Sequence, residues 1–258
     1  MAYIEFLRSR KALLWYTAIT GGLSLLMVLI FNFASSGHVD IENHTSLDLT
    51  GLIGISVYCA AVFATVCGIS LNRENDGVEM VFTKPISRER LALTYFLTDL
   101  AAIVLACVIA TVFFGLVLLD LGAVTHTPSI IRFDGRSFGV LALGLGIAFM
   151  WYGLLQAASS RYVGNGGIFV GVSWALFGIL IGLSQTPPGL LHNIIMTVNI
   201  LNPLAYMTGI SVSDSGGKLT STAVSLFHGE PWARALMAWA IGLAGCAVAT
   251  LGWKRLEV

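Results

Sequence analysis

The chain has 258 residues, 56% hydrophobic and only 11% charged, with 14 basic and 14 acidic residues and a mean hydropathy of +0.83. A soluble domain of this size carries about 25% charged residues, so the solvent indicated is a bilayer. Zero net charge leaves no global argument for nucleic acid or an acidic partner. The four cysteines, Cys59, Cys67, Cys107 and Cys246, all sit in apolar runs and match neither a zinc pattern nor a disulfide framework.

The first element is "YIEFLRSRK", where Tyr3, Ile4, Phe6 and Leu7 stand beside Glu5, Arg8, Arg10 and Lys11. That mixture predicts an interfacial helix over 1–11, with Trp15 and Tyr16 as anchors just inside the membrane. A charge-free run over 12–33 follows, 22 residues long. A crossing helix needs about 20 apolar residues, and a signal-peptide core is shorter. Further charge-free runs lie at 50–71, 100–119, 137–160 and 235–253. A charge in mid-membrane costs about 3 kcal/mol, which gives these absences meaning. Asp99 and Asp120 bracket the third run, one at each expected membrane surface.

Between Tyr162 and Ser213 lie 52 residues without Asp, Glu, Lys or Arg. Residues 168–184 read as a span, ended by "TPPG" because proline cannot continue the hydrogen-bond ladder. The remainder, "LLHNIIMTVNILNPLAYMTGI", is interrupted by His192, Asn193, Asn199, Asn202 and Pro203. It reads either as a seventh span or as a re-entrant or interfacial pair of short helices over 187–212. In the second case the bend falls at Asn202-Pro203, shielded by protein where the backbone is broken. Four polar side chains and a proline make a poor lipid-facing helix, so six spans are preferred.

Orientation follows from lysine and arginine placement. With six spans, ten basic residues share the side of the N-terminus: Arg8, Arg10, Lys11, Arg73, Lys84, Arg88, Arg90, Arg161, Lys254 and Arg255. Four do not: Arg132, Arg136, Lys218 and Arg234. Both termini are therefore expected in the cytoplasm, with "ASSGHVDIENHTSLD" and "SDSGGKLTSTAVSLFHGEP" outside. The fold class is an all-α integral membrane protein, one membrane domain over 1–258 without linker or repeat.

The segment 73–90, "RENDGVEMVFTKPISRER", holds eight charged residues in eighteen and faces the cytoplasm. Asn72 or Asn75 can cap a short helix, with Glu74 and Asp76 near its first turn, where the macrodipole favours them. Val78, Val81 and Phe82 fall at i, i+3 and i+4, an apolar stripe on a helix of two to three turns. Lys84-Pro85 ends that helix over 73–84, and Ser87 is placed to cap the next. A short amphipathic helix of this kind suits a groove on a partner.

The pattern E-x-x-G-x-E-x-x-x-x-x-P-x-S-R, written by Glu74, Gly77, Glu79, Pro85, Ser87 and Arg88, resembles the first cytoplasmic loop of type-2 family ABC transporter permeases, of the type V exporter-like fold. The resemblance implies six transmembrane helices, an N-terminal elbow helix, a coupling helix between spans two and three, and re-entrant helices before the last span. "NILNPLAYMTG" is similar to the Asn-Pro segment there. Val78 stands where threonine is common, and Thr94-Tyr95 where Gly-Lys often begins the third helix. The ATPase-coupling interface it implies comprises Glu74, Asp76, Gly77, Val78, Glu79, Val81, Phe82, Lys84, Pro85, Ser87 and Arg88. The re-entrant bend is Asn202 and Pro203.

The chain has no phosphate loop of its own. "GGKLT" lacks the first glycine, since Val212 stands there, and Leu219 follows the lysine; "GNGG" at 164–167 is no dinucleotide fingerprint. The expected protein is thus a non-catalytic permease subunit with no cofactor, ATP and magnesium being expected on a partner ATPase. Closure of two ATPase subunits would tilt the bundle between inward-open and outward-open states. The implied partners are that ATPase and a second permease chain in the inner (plasma) membrane, with no nucleic acid.

Small residues at four-residue spacing (Gly167, Gly171, Ala175; Gly178, Gly182; Ala238, Gly242) permit close helix contacts, ordinary intrachain packing being the more common use. Asn32, Gln156, Phe149, Trp151 and Tyr152 are candidate lining of a path, with packing again the commoner role. No charge in the middle of a span argues against a small inorganic ion as cargo. The outer "HVDIENH", with His38, Asp40, Glu42 and His44, has metal-ligand chemistry, but an alternating polar loop is common without metal. The rival reading is an ATP-driven assembly or maturation component acting on an extracytoplasmic partner. A hydrolase would need paired carboxylates, a zinc motif or a serine dyad within a span, and none is present.

Overall fold

The computed structural model describes residues 2–35, 87–124, 135–159, 166–184, 186–206, 209–215, 218–224, 227 and 230–254. In chain order these form α1 (Ala2–Ser35), α2 (Arg88–Val124), α3 (Gly135–Ser159), α4 (Gly166–Leu183), α5 (Leu190–Asn199), α6 (Pro203–Tyr206), β1 (Gly209–Ser215), β2 (Lys218–Val224) and α7 (Pro231–Lys254). Four of them carry windows long and apolar enough to cross a membrane: Arg10–Ile30, Ala92–Val117, Phe138–Ala158 and Pro231–Gly252. α4 is equally apolar over the shorter Gly171–Leu183.

α1 runs unbroken for 34 residues, so the elbow expected over 1–11 is not a separate element. Nothing in its sequence would break it: the first glycine is Gly21, and the chain holds no proline before Pro85. At 1.5 Å per residue α1 and α2 extend about 51 and 56 Å, well beyond a hydrocarbon layer of about 30 Å. α2 begins where Ser87 caps it, its Oγ accepting the Arg90 N–H at 3.4 Å.

α3 and α7 form the tightest pair. Glycines recur every seven residues on α3, at Gly139, Gly146 and Gly153, and each leaves a niche for α7. Trp232 fills the first and Trp239 the second, while the backbone of Gly242 enters the third. The Trp239 indole donates to the Ala142 carbonyl at 3.0 Å. It can do so because a helical side chain covers the turn before it, and Gly146, one turn after Ala142, has none. Contacts advance together along both helices, so α3 and α7 are parallel, and a seven-residue period is that of left-handed packing.

α1 and α2 are parallel as well. Gly21 lies against Phe113, and further along both helices Asn32 donates to Asp120 at 3.0 Å, so the contacts advance in the same direction. α2 and α3, by contrast, are antiparallel. Their buried contact joins Asp99, 25 residues before the end of α2, to Tyr152, 17 residues after the start of α3. A parallel arrangement would set Val124 and Gly135 roughly 60 Å apart. The ten intervening residues reach roughly 40 Å at most. The N-termini of α1 and α2 and the C-termini of α3 and α7 therefore share one end of the bundle.

Three sequence-based expectations change. Asp99, read from the sequence as a bracket of the third run, is fully buried within the helix bundle, where it accepts the Tyr152 hydroxyl. The chain is not wholly helical, since β1 and β2 pair antiparallel from Gly209 opposite Val224 to Ser215 opposite Lys218. The hairpin takes residues 209–212 from the expected re-entrant segment. Its signal is Gly216-Gly217 between two runs rich in Ser, Thr, Val and Ile, a spacing that suits a hairpin better than a helix. The small residues also divide: Ala238 and Gly242 belong to the α3–α7 seam, while Gly171, Gly178 and Gly182 on α4 face open space.

Candidate functional site

Of the expected coupling interface, Glu74, Asp76, Gly77, Val78, Glu79, Val81, Phe82, Lys84 and Pro85 lie outside the described residues, as do His38, Asp40, Glu42 and His44. Ser87 and Arg88 are described at the junction with α2, Ser87 exposed as its cap and Arg88 as its first residue. That junction lies at the end of the bundle shared by the start of α1 and the finish of α3 and α7. Arg8, Arg10 and Lys11 of α1, Arg88 and Arg90 of α2 and Lys254 of α7 belong to this end; in the sequence Arg161 follows the last residue of α3 by two positions and Arg255 follows that of α7.

The second feature is the corner formed by α4, α5 and α6. α5 has ten residues, about 15 Å, too short to cross a membrane. After Asn199 the chain tightens into i→i+3 bonds, with Ile200, Leu201 and Asn202 N–H groups donating to the carbonyls of Thr197, Val198 and Asn199. Asn202 then caps α6: its Oδ1 accepts the Leu204 N–H at 3.0 Å, and Pro203 takes the first helical position, where no N–H is needed. The Asn-Pro pair is thus a helix start.

The same two asparagines fasten the corner to α4. Asn202 Nδ2 donates to the Phe177 carbonyl at 3.1 Å and to Asn199 Oδ1 at 2.8 Å, and Asn199 Nδ2 donates to the Leu180 carbonyl at 3.3 Å. Both side chains are fully buried. Phe177 is six residues before the end of α4, so the chain has doubled back about 9 Å along that helix. Tyr206 closes the loop by donating to the Ile200 carbonyl at 3.0 Å, satisfying an acceptor left by the end of α5. Burial pushes the Tyr206 phenol above its ordinary value, so it stays a donor at neutral pH.

α5 divides its circumference three ways. Ile195 and Asn199 face the protein, Asn193 and Thr197 form an exposed polar strip, and Leu190, Leu191, Ile194 and Val198 form an exposed apolar one. Polar residues that look scattered in a linear apolar sequence are therefore sorted by helical period.

Among the described residues, the candidate path-lining side chains on α3 pack against neighbouring helices. Phe149 packs against Trp239 at 5.1 Å, Trp151 against Trp174 at 4.5 Å and Phe177 at 5.5 Å, and Tyr152 edge-on to Phe96 at 6.2 Å. Gln156 is buried on α3, and Asn32 is exposed beside Asp120. The packing role is the one they fill. Asp99 is the functional candidate that sequence reasoning took only as a bracket of the third run: its carboxyl group accepts the Tyr152 hydroxyl at 2.6 Å in a buried setting. An acid inside a spanning window was the available signal.

No family model, no curated protein and no solved structure matches this chain.

Proposed function

We propose that the chain is the transmembrane subunit of an ATP-driven exporter of the type-2 ABC permease kind, worked from its cytoplasmic end by a separate ATPase. The observation that carries the proposal is where the patterned segment 73–90 leads. It leads in sequence into the N-terminus of α2, at the end of the bundle that also receives the start of α1 and the C-termini of α3 and α7, with basic residues next to each in the sequence. Positive residues gather on the cytoplasmic side of membrane proteins, which makes that end the inner one.

The helix directions support six spans with both termini inside the cell's inner membrane. Parallel neighbours require the chain between them to return, and between α1 and α2 the sequence offers the apolar run 50–71 for that return. Between the parallel α3 and α7, α4 goes back, and α5 and α6 are too short to cross again. In this reading 74–84 seats in a cleft of the ATPase, a second permease chain completes the assembly, and this chain performs no catalysis.

The test is co-purification with the ATPase before and after Glu79→Arg and Phe82→Asp. Both changes are expected to weaken association and to lower ATPase stimulation, since one reverses a charge and the other places a carboxylate on the apolar stripe. Undiminished association in both variants refutes the proposal.

The β1–β2 hairpin favours a second reading. It lies between α6 and the start of α7, at the end opposite the basic one, and a two-stranded sheet offers edges to an extracytoplasmic partner. An ATP-driven assembly component would use it so, and deletion of 210–223 would then abolish function while leaving ATPase association intact.

A further inference from the structure

Among the described residues, the four long apolar helices α1, α2, α3 and α7 pack as two pairs. α1 lies along α2 from Gly21 to Asn32, and α3 is in backbone contact with α7, whereas α2 meets α3 and α7 far more sparingly. The sparse boundary is lined by Phe96, Ile103 and Cys107 on one side and by Phe149, Cys246 and Ala249 on the other. Across it runs the buried bond from the Tyr152 hydroxyl to Asp99 Oδ2 at 2.6 Å.

We infer that this boundary is the plane along which the bundle changes shape, and that the Asp99–Tyr152 bond is the clasp holding it closed. Opening the α3–α7 pair would pull Trp232 and Trp239 from their glycine niches and force apart helix backbones that are in direct contact. At the boundary the apolar contacts are replaceable, because lipid tails solvate Phe, Ile and Ala as well as protein does. A carboxyl group and a phenol have no such substitute in hydrocarbon, so their bond opposes opening. The two rings beside Tyr152, Phe96 edge-on and Phe149 stacked, fix the direction of its hydroxyl. The inference concerns the chain itself and holds whether or not an ATPase drives it.

The experiment measures spin-label distances in the full chain in lipid nanodiscs, without nucleotide or ATPase, after replacing Cys59, Cys67, Cys107 and Cys246 by alanine. Labels at exposed Leu97 on α2 and Leu251 on α7 report across the boundary. Labels at Leu14 with Leu97, and at Ala158 with Leu251, report within each pair. Tyr152→Phe keeps the ring and removes the donor; Asp99→Leu removes the acceptor; Asp99→Asn keeps one. Tyr152→Phe and Asp99→Leu are each expected to raise the ratio of long to short distances across the boundary roughly ten-fold, with Asp99→Asn well below either. Within-pair distances stay as in the parent. Broadening of all three distances together would make the bond a general stabiliser and overturn the inference, as would no change in any of them.

Discussion

Gly245→Ala probes the α3–α7 seam with the smallest side chain available. A Cβ there would stand 2.5 Å from both the carbonyl carbon and oxygen of Gly153 and 3.0 Å from Leu154 N. Ordinary contact begins at 3.4 Å, so the two helices must move apart by about 0.9 Å at this level. Every atom met is backbone, so no rotamer change relieves the clash. A gap of that size forfeits about a quarter to a half of each facing contact. Overpacking of this kind costs about 1–3 kcal/mol, and the upper half applies where nothing can swing aside. Alanine recovers about 1 kcal/mol of helix propensity. The net loss is about 1–2 kcal/mol, which lowers the melting midpoint by roughly 2–8 °C. Gly178→Ala on α4 is the control, because nothing lies within 4 Å of its added Cβ, and it should melt no lower than the parent. The assay is thermal loss of the monodisperse peak in mild detergent. If Gly245→Ala and Gly178→Ala melt together, α3 and α7 are not in backbone contact at Gly153.

The remaining expectations test other regions of the molecule. Asn202→Ala removes the amide that reaches Phe177 and Asn199 and the cap of α6, so hydrogen exchange over α5 and α6 should rise at least ten-fold while α3 and α7 keep their protection. Trp239→Phe keeps much of the ring in the Gly146 niche but loses the bond to Ala142, and should cost about 1 kcal/mol in the same melting assay; a loss as large as that of Gly146→Val would contradict the assigned packing. Ile194→Asp puts a charge on the exposed apolar strip of α5 and should reduce the fraction recovered in the membrane, whereas Asn193→Asp, on the polar strip, should not. Ser87→Ala removes the cap of α2 and should destabilise its first turn by about 1 kcal/mol, read as faster exchange near Arg90 alone.

What the sequence determined by itself is whatever composition and local chemistry decide. The low charge and long apolar runs specify a membrane protein, since their solvation cost in water or lipid does not depend on neighbours. Ser87 as a cap is likewise local and can be read from a few residues, whereas Asn202-Pro203 reads as a bend and the structure makes it the start of a helix. The hairpin is legible too, in Gly216-Gly217 between strand-forming runs, although the apolar run before it reads equally well as continuing helix. The seven-residue spacing of Gly139, Gly146 and Gly153 belongs with it, visible in the chain but informative only once a partner helix is known.

Only the tertiary structure decided what faces what. Whether Asp99 lies at a surface or inside depends on which helices surround α2, and the sequence places no helix beside another. Tyr152, 53 positions away, is its partner because α2 and α3 are antiparallel. Asn199 and Asn202 likewise read as interruptions in an apolar run until α4 presents the carbonyls of Leu180 and Phe177 to them. A buried polar side chain costs free energy or contributes it according to whether its partner is present, and partners brought from a distance are fixed by packing alone.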